Sequence, residues 1–94
     1  MIQIQILGVP DMKQAEALQQ RIAAMVRDLP FAKKIRISFS MGSFIDTDGK
    51  PVRHIHTVLL GVAGNRDSIF TQVKECLTPL QSEGFEFSHV DLDY

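Results

Sequence analysis

Ile35-Arg36-Ile37-Ser38-Phe39-Ser40-Met41-Gly42-Ser43-Phe44-Ile45-Asp46-Thr47-Asp48-Gly49-Lys50-Pro51-Val52-Arg53-His54-Ile55-His56-Thr57-Val58-Leu59-Leu60 has apolar residues at alternate positions on both sides of a turn signal. Ile35, Ile37, Phe39 and Met41 alternate with Arg36, Ser38, Ser40 and Gly42, the period of a half-buried strand. The segment Asp46 to Lys50 suits a three-residue loop, Thr47-Asp48-Gly49, with Gly49 in the left-handed conformation that lets the strands re-pair. The spacing predicts a hairpin whose strands are each about twelve residues, near 40 Å, the second running from Pro51 to Val62. Counting outward from Asp46 opposite Lys50 sets Met41 against Ile55, Phe39 against Thr57 and Ile37 against Leu59 on one face. The other face receives Ser40 with His56, Gly42 with His54, Ser38 with Val58, Arg36 with Leu60 and Phe44 with Val52.

Working outward, Ile2 to Leu7 alternates so that Ile2, Ile4 and Ile6 share one face while Gln3, Gln5 and Leu7 share the other. Asp11 followed three residues later by Gln14 resembles a capping box, and Ala15, Leu18, Ile22, Met25, Val26 and Leu29 recur at helical spacing until Pro30. A helix from Met12 to about Asp28 follows. Beyond the hairpin, Asn65 is a helix cap with Asp67 in the first turn, and Ile69, Val73, Leu77 and Leu80 form the apolar stripe. Thr78-Pro79 divides off a short turn that Gly84 ends. Phe85 to Leu92 is the last strand, with Phe85 and Phe87 on one parity and Val90 and Leu92 on the other, which a bulge near Ser88 would reconcile. The order strand, helix, strand, strand, helix, strand predicts a ferredoxin-like α+β domain spanning residues 1–94, a four-stranded antiparallel sheet with both helices on one face.

Ninety-four residues leave room for one core, and 45% hydrophobic with 22% charged side chains excludes disordered and low-complexity classes. Ten basic against eleven acidic side chains make a poor electrostatic match to nucleic acid or an anionic membrane. The lone Cys76 forms no internal disulfide and has no metal-ligand spacing, consistent with a cytoplasmic protein. Met1 to Val9 does not read as a secretory signal, and no apolar run reaches the length of a membrane span.

The face without helices keeps Leu7, Phe44, Val52, Val58 and Leu60, more apolar surface than a solvated sheet carries. These residues form the expected interface of a homo-oligomer, with the hairpin tip clasping a neighbour. The same face carries the candidate chemistry. His54 and His56 form an H-x-H with both rings on one side, suited to acid-base work; Gln5, Arg36, Ser38 and Ser40 would contact a ligand, Arg36 by holding an anion. Neither a metal nor a cofactor is expected, since Gly42 and Ser40 across the hairpin supply no third ligand and His89 lies on a strand set apart by the first. Gly61-Val62-Ala63-Gly64-Asn65-Arg66 offers helix-start amides and Arg66 to an anion, but lacks the glycine spacing of a phosphate loop. Asp46 to Gly49 has its glycine fourth, unlike a calcium loop. Lys33, Lys34 and Arg36 form a short basic run, and Ser38 and Ser40 near His56 have no orienting acid for nucleophilic chemistry.

Families with this element order differ at their signature positions. Residues Pro51 to Thr57 carry none of the stacking aromatics of an RNA-recognition module. The loop Gly8-Val9-Pro10-Asp11-Met12 has neither the cysteines of a soft-metal chaperone nor the arginine of an acylphosphatase, and position 2 is Ile where tautomerases use an amino-terminal proline. Two functions remain: an oligomeric domain binding a small ligand or protein partner through the open face and the 43–53 hairpin, or a small enzyme with His56 as base, His54 as its neighbour and Arg36 for an anionic substrate.

Overall fold

The computed structural model describes residues 1–62 and 64–92. Strand β1 (Ile2–Leu7) leads into α1 (Met12–Val26), a 3-10 turn at Ala32–Lys34 and β2 (Ile35–Phe39). After the short β3 (Phe44–Ile45) come β4 (Pro51–Leu60), α2 (Arg66–Cys76), α3 (Thr78–Ser82) and β5 (Phe85–Leu92). Asp11 and Asn65 cap α1 and α2, Asp11 by accepting from the Lys13 amide at 2.9 Å and not through the expected box with Gln14, and Asn65 by accepting from the Ser68 amide at 3.1 Å, each satisfying a donor that the helix leaves unpaired.

The sheet overturns the ferredoxin-like prediction. It is mixed, not antiparallel: five strands in the order β2, β1, β4, β3, with β5 also on β4. β1 pairs in parallel with β2 from Ile2 against Ile35 to Ile6 against Phe39, and antiparallel with β4 from Ile2 against Leu59 to Leu7 against His54. β4 in turn pairs in parallel with β5 from Arg53 against Phe85 to Leu60 against Leu92. Two parallel β-α-β halves, β1-α1-β2 and β4-α2-β5, are thus joined along β1 and β4.

The hairpin exists only at its tip. The Asp46 amide donates to the Lys50 carbonyl at 2.9 Å, and Phe44 and Ile45 pair with Val52 and Pro51. Gly49 sits at φ 79°, as the turn requires. The long strand predicted before the turn is five residues of β2 and two of β3, separated at Ser40 to Ser43. The Ser40 amide donates to the Ile6 carbonyl at 3.0 Å, so the first strand has taken the position that the hairpin register reserved for the third. A turn dictates pairing only over the few residues that it ties together. Farther out, β2 pairs where its crossover helix returns it, beside the strand that precedes the helix.

Facing survives within the strands because it depends on period two rather than on partner; Met41, expected inward opposite Ile55, lies between β2 and β3 and is 49% exposed. Ile2, Ile4, Ile6, Ile55 and Leu59 have no exposed surface and join Ala15, Leu18, Ile22, Val73, Leu77 and Leu80 in one cluster between sheet and helices. Each of the isoleucine, leucine and valine side chains contributes about 1.5–3 kcal/mol by leaving water. On β5, Phe85 is buried and Phe87 packs against the same cluster, and the register is unbroken, so no bulge is needed and Val90 and Leu92 face away from the helices. Gln19 of α1 donates to the Ile37 carbonyl at 2.7 Å, covering part of the edge strand β2.

Candidate functional site

With the strands in this order, the face opposite the helices presents its side chains in transverse rows. One row crosses the sheet as Ser38, Gln5, His56 and Ser88, from β2 through β1 and β4 to β5. The next, toward the hairpin, is Leu7, His54 and Glu86. On the other side lies Arg36, Gln3, Val58 and Val90, and beyond it Leu60 and Leu92. A polar stripe therefore runs between two apolar zones.

The stripe is organised around Ser88. Its Oγ lies 2.5 Å from His54 Nε2 and 2.5 Å from His56 Nδ1, while the other nitrogen of His54, Nδ1, faces a Glu86 carboxylate oxygen at 3.9 Å. The ring centroids are 6.3 Å apart with planes at 44°. Either direction of proton donation fits these distances, and the charge of Glu86 favours one of them. A carboxylate only accepts, so Glu86 favours the His54 tautomer with its proton on Nδ1, leaving Nε2 to accept from the Ser88 hydroxyl. A hydroxyl with its hydrogen so used still has lone pairs, and His56 Nδ1–H donates to them. With the protons so placed, the contacts form a chain from His56 through Ser88 to His54 and on toward Glu86, the last step through charge and not a hydrogen bond. The His54 side chain is 25% exposed and that of Glu86 67%, so the chain runs from a half-buried centre to solvent.

The predicted residues fall into two groups. His54, His56, Gln5 and Ser38 come together in or beside the stripe. Gln5 donates to Gln3 Oε1 at 3.4 Å. Arg36 lies one row away and two strands over, about 12 Å by strand spacing, and its guanidinium turns back onto the carbonyls of Lys33 and Ile35 at 3.0 Å. Ser40 lies just past the end of β2, on the far side of β1 from His54. Arg66 is on the helix side, paired with Asp91 at 2.9 Å; the loop before it includes Ala63, which lies outside the described residues. His89 is next to β4, opposite Thr57, not set apart from it, and faces the helices with its ring 4.3 Å from that of Phe70.

Sequence reasoning missed Ser88 and Glu86. Their parity on the last strand marks them for the open face, but only the pairing of β5 with β4 brings them to the histidines. Among the described residues no group of three or more His, Cys, Asp or Glu is placed to hold a metal, and Glu86 approaches His54 from the side away from Ser88. Cys76 is held as a thiol, its pKa raised first by burial and then by the nearby Glu75 and Asp28 carboxylates.

Apolar surface borders the stripe at both ends. Leu7, Phe44, Ile45, Val52 and His54 line a groove of about 300 Å³ under the hairpin, with Phe44 49% and Ile45 69% exposed. Leu60 is half-buried and Leu92 exposed at the opposite end, while Val58 is buried between Gln3 and Val90. No described helix is long and apolar enough to cross a membrane.

The chain matches no protein-family model and no curated protein. Solved structures do resemble it. Macrophage migration inhibitory factor of Toxoplasma gondii superposes with a TM-score of 0.62 at 14% identity, over 97% of this chain and 90% of that one. A domain of unknown function, DUF1904, from Sebaldella termitidis gives 0.52 at 15% identity, covering 98% and 89%. A fused wild-type 4-OT solved as a symmetric trimer gives 0.52 at 18% identity, covering 98% and 86%. Ile2, at the position where tautomerases use a proline, is fully buried among the core isoleucines. At these identities the likeness is one of architecture, and the chain shares the fold of macrophage migration inhibitory factor and 4-OT.

Proposed function

We propose that the protein is a cytoplasmic homo-oligomer whose open sheet faces pack together and enclose a small-molecule site at the His54–Ser88–His56 stripe. The observation that carries this reading is the apolar surface of Leu7, Phe44, Ile45, Val52, Leu60 and Leu92 flanking the stripe, which a single chain leaves in contact with water. Closed symmetry is the common way to cover such a face, and the fused 4-OT of the same fold is a symmetric trimer. The hairpin tip, residues 43–53, offers Phe44 and Ile45 to a neighbouring copy. Light scattering on the eluting protein tests it: an oligomer at micromolar concentration that Leu60→Asp dissociates is expected, and a wild-type monomer overturns the assembly.

A second reading, catalysis with His56 and His54 as an acid-base pair, is favoured by their shared contact with Ser88. A solved neighbour of this fold, Pt0534, is inactivated by 2-oxo-3-pentynoate (TM-score 0.57, 12% identity, covering 98% of this chain and 85% of that one), so the architecture can present a reactive group to a small oxo acid. Proton exchange at the α-carbon of simple 2-oxo acids, followed by NMR in deuterated water, is expected to stop in the double variant His54→Ala/His56→Ala; exchange unaltered in that variant rules the pair out.

A further inference from the structure

We infer that Ser88 is a nucleophile for acyl transfer, with His54 as its general base, Glu86 as a positioning residue and small esters carrying an apolar group as the substrate class. The inference rests on the second reading above, that the stripe does chemistry, and extends it by naming the attacking atom and what it attacks.

The geometry has the three parts that such a nucleophile needs: a hydroxyl at hydrogen-bond distance from an imidazole, a carboxylate on the far nitrogen of that imidazole, and room for an acyl group. Ser88 Oγ is 2.5 Å from His54 Nε2, and Glu86 lies 3.9 Å from His54 Nδ1. The arrangement follows from the sheet. Parallel pairing sets Glu86 beside His54 and Ser88 beside His56, so that Ser88 reaches His54 on the diagonal and Glu86 reaches it from the neighbouring row. Glu86 at 3.9 Å acts through charge, keeping the His54 proton on Nδ1 and leaving Nε2 basic toward Ser88.

In the step itself, Oγ attacks the ester carbonyl carbon as its proton passes to His54 Nε2. The carbonyl π electrons move onto oxygen, and when they return, the bond to the leaving alkoxide breaks and His54 returns the proton to it. Water then attacks the acyl-serine by the same route and restores the hydroxyl. His56 Nδ1–H, 2.5 Å from Oγ, is close to the oxyanion that forms two bonds away, on the carbon that Oγ has attacked. Substrate preference comes from the groove of Leu7, Phe44, Ile45 and Val52, which has in its wall His54, the imidazole that Ser88 contacts. It contains no charged side chain, which fits a neutral ester with a short alkyl or aryl group.

The experiment uses the whole chain with p-nitrophenyl acetate and p-nitrophenyl butyrate, following p-nitrophenolate release and the intact mass. One acyl group per chain is expected, mapped to the peptide containing Ser88, with butyrate faster than acetate. Ser88→Ala loses the adduct, and Ser88→Cys restores it as a thioester. His54→Ala slows acylation by about 100-fold or more. Glu86→Gln slows it less and moves the His54 proton from Nδ1 to Nε2 in nitrogen-15 spectra, a change that a merely structural carboxylate would not cause. An adduct confined to lysines or the terminal amine, or one equally abundant in Ser88→Ala, overturns the inference. Oxo-acid exchange that depends on the histidines but persists in Ser88→Ala, with no acyl-serine formed, leaves the acid-base reading standing and removes this one.

Discussion

Ser88 stands directly opposite His56 in the β4–β5 register, yet its Oγ is equally near His54 Nε2, two residues away on the same strand, at 2.5 Å. One hydroxyl thereby joins two imidazoles that would otherwise be independent neighbours on a strand face. Since Glu86 favours a proton on His54 Nδ1, and Ser88 has one hydrogen to give, both rings are expected as the Nδ1–H tautomer when neutral. Long-range proton-nitrogen spectra check this. Ser88→Ala should release His56 to the more usual Nε2–H form while Glu86 continues to hold His54; finding both rings as Nε2–H in the wild type contradicts the chain.

Gly8 ends β1 where it meets the β4 backbone. It adopts φ 83°, and a Cβ there would lie 2.1 Å from the Val52 carbonyl oxygen, so Gly8→Ala adds a backbone collision to the cost of a left-handed alanine. Gly49→Ala isolates the second cost, because φ is 79° and nothing lies within 4 Å of its Cβ. Urea unfolding should show about 1–2 kcal/mol lost for Gly49→Ala and more than that, about 3 kcal/mol or above, for Gly8→Ala. Equal losses would mean that β1 and β4 separate at little cost.

Arg21 of α1 holds the Glu83 carboxylate through both guanidinium NH groups, linking the first helix to the turn before β5. The two shifts agree: the Arg21 bond lowers the Glu83 pKa from the usual carboxylate range, and Glu83 raises that of Arg21. A carboxylate with a lowered folded-state pKa adds stability above its unfolded value near pH 4.5, and the contribution disappears as pH falls through the folded value. Melting temperature measured from neutral pH downward should therefore fall less steeply on the acid side in Arg21→Ala than in the wild type. Both side chains are over 40% exposed, so salt should shrink the difference.

Much of this was legible in the sequence, within limits that have a physical source. Alternation along Ile2 to Leu7, Ile35 to Phe39 and Ile55 to Leu59 foretold which side chains meet the helices, because a strand's facing is an internal property. The turn at Asp46 to Lys50 foretold the pairing of Phe44 with Val52, because three residues tie those strands together. Strand order was not legible: β2 can lie beside β1 or beside β4 with the same residues inward. The repeat of two β-α-β halves left no trace either, since packing asks of each half an apolar pattern and not a shared sequence. Misplacing β5 hid Ser88 and Glu86, and with them the partners of both histidines.

Cysteine pairs distinguish the two strand orders directly. In the mixed sheet Gln3 and Arg36 are parallel neighbours, with Cα atoms about 4.8 Å apart, inside the range that a disulfide spans. An antiparallel hairpin running the length of β2 would instead set Arg36 against Leu60. With β1 between them, those Cα atoms are about 12 Å apart, too far to bridge without moving the backbone. In a Cys76→Ser background, Gln3→Cys/Arg36→Cys should oxidise within one chain and raise the melting temperature, whereas Arg36→Cys/Leu60→Cys should stay reduced. Exchange between chains, separable on non-reducing gels at low protein concentration, would not mimic the first result, because it joins two chains instead of closing a loop. Oxidation of the second pair but not the first would return β2 to the side of β4 and separate Ser88 from its histidines.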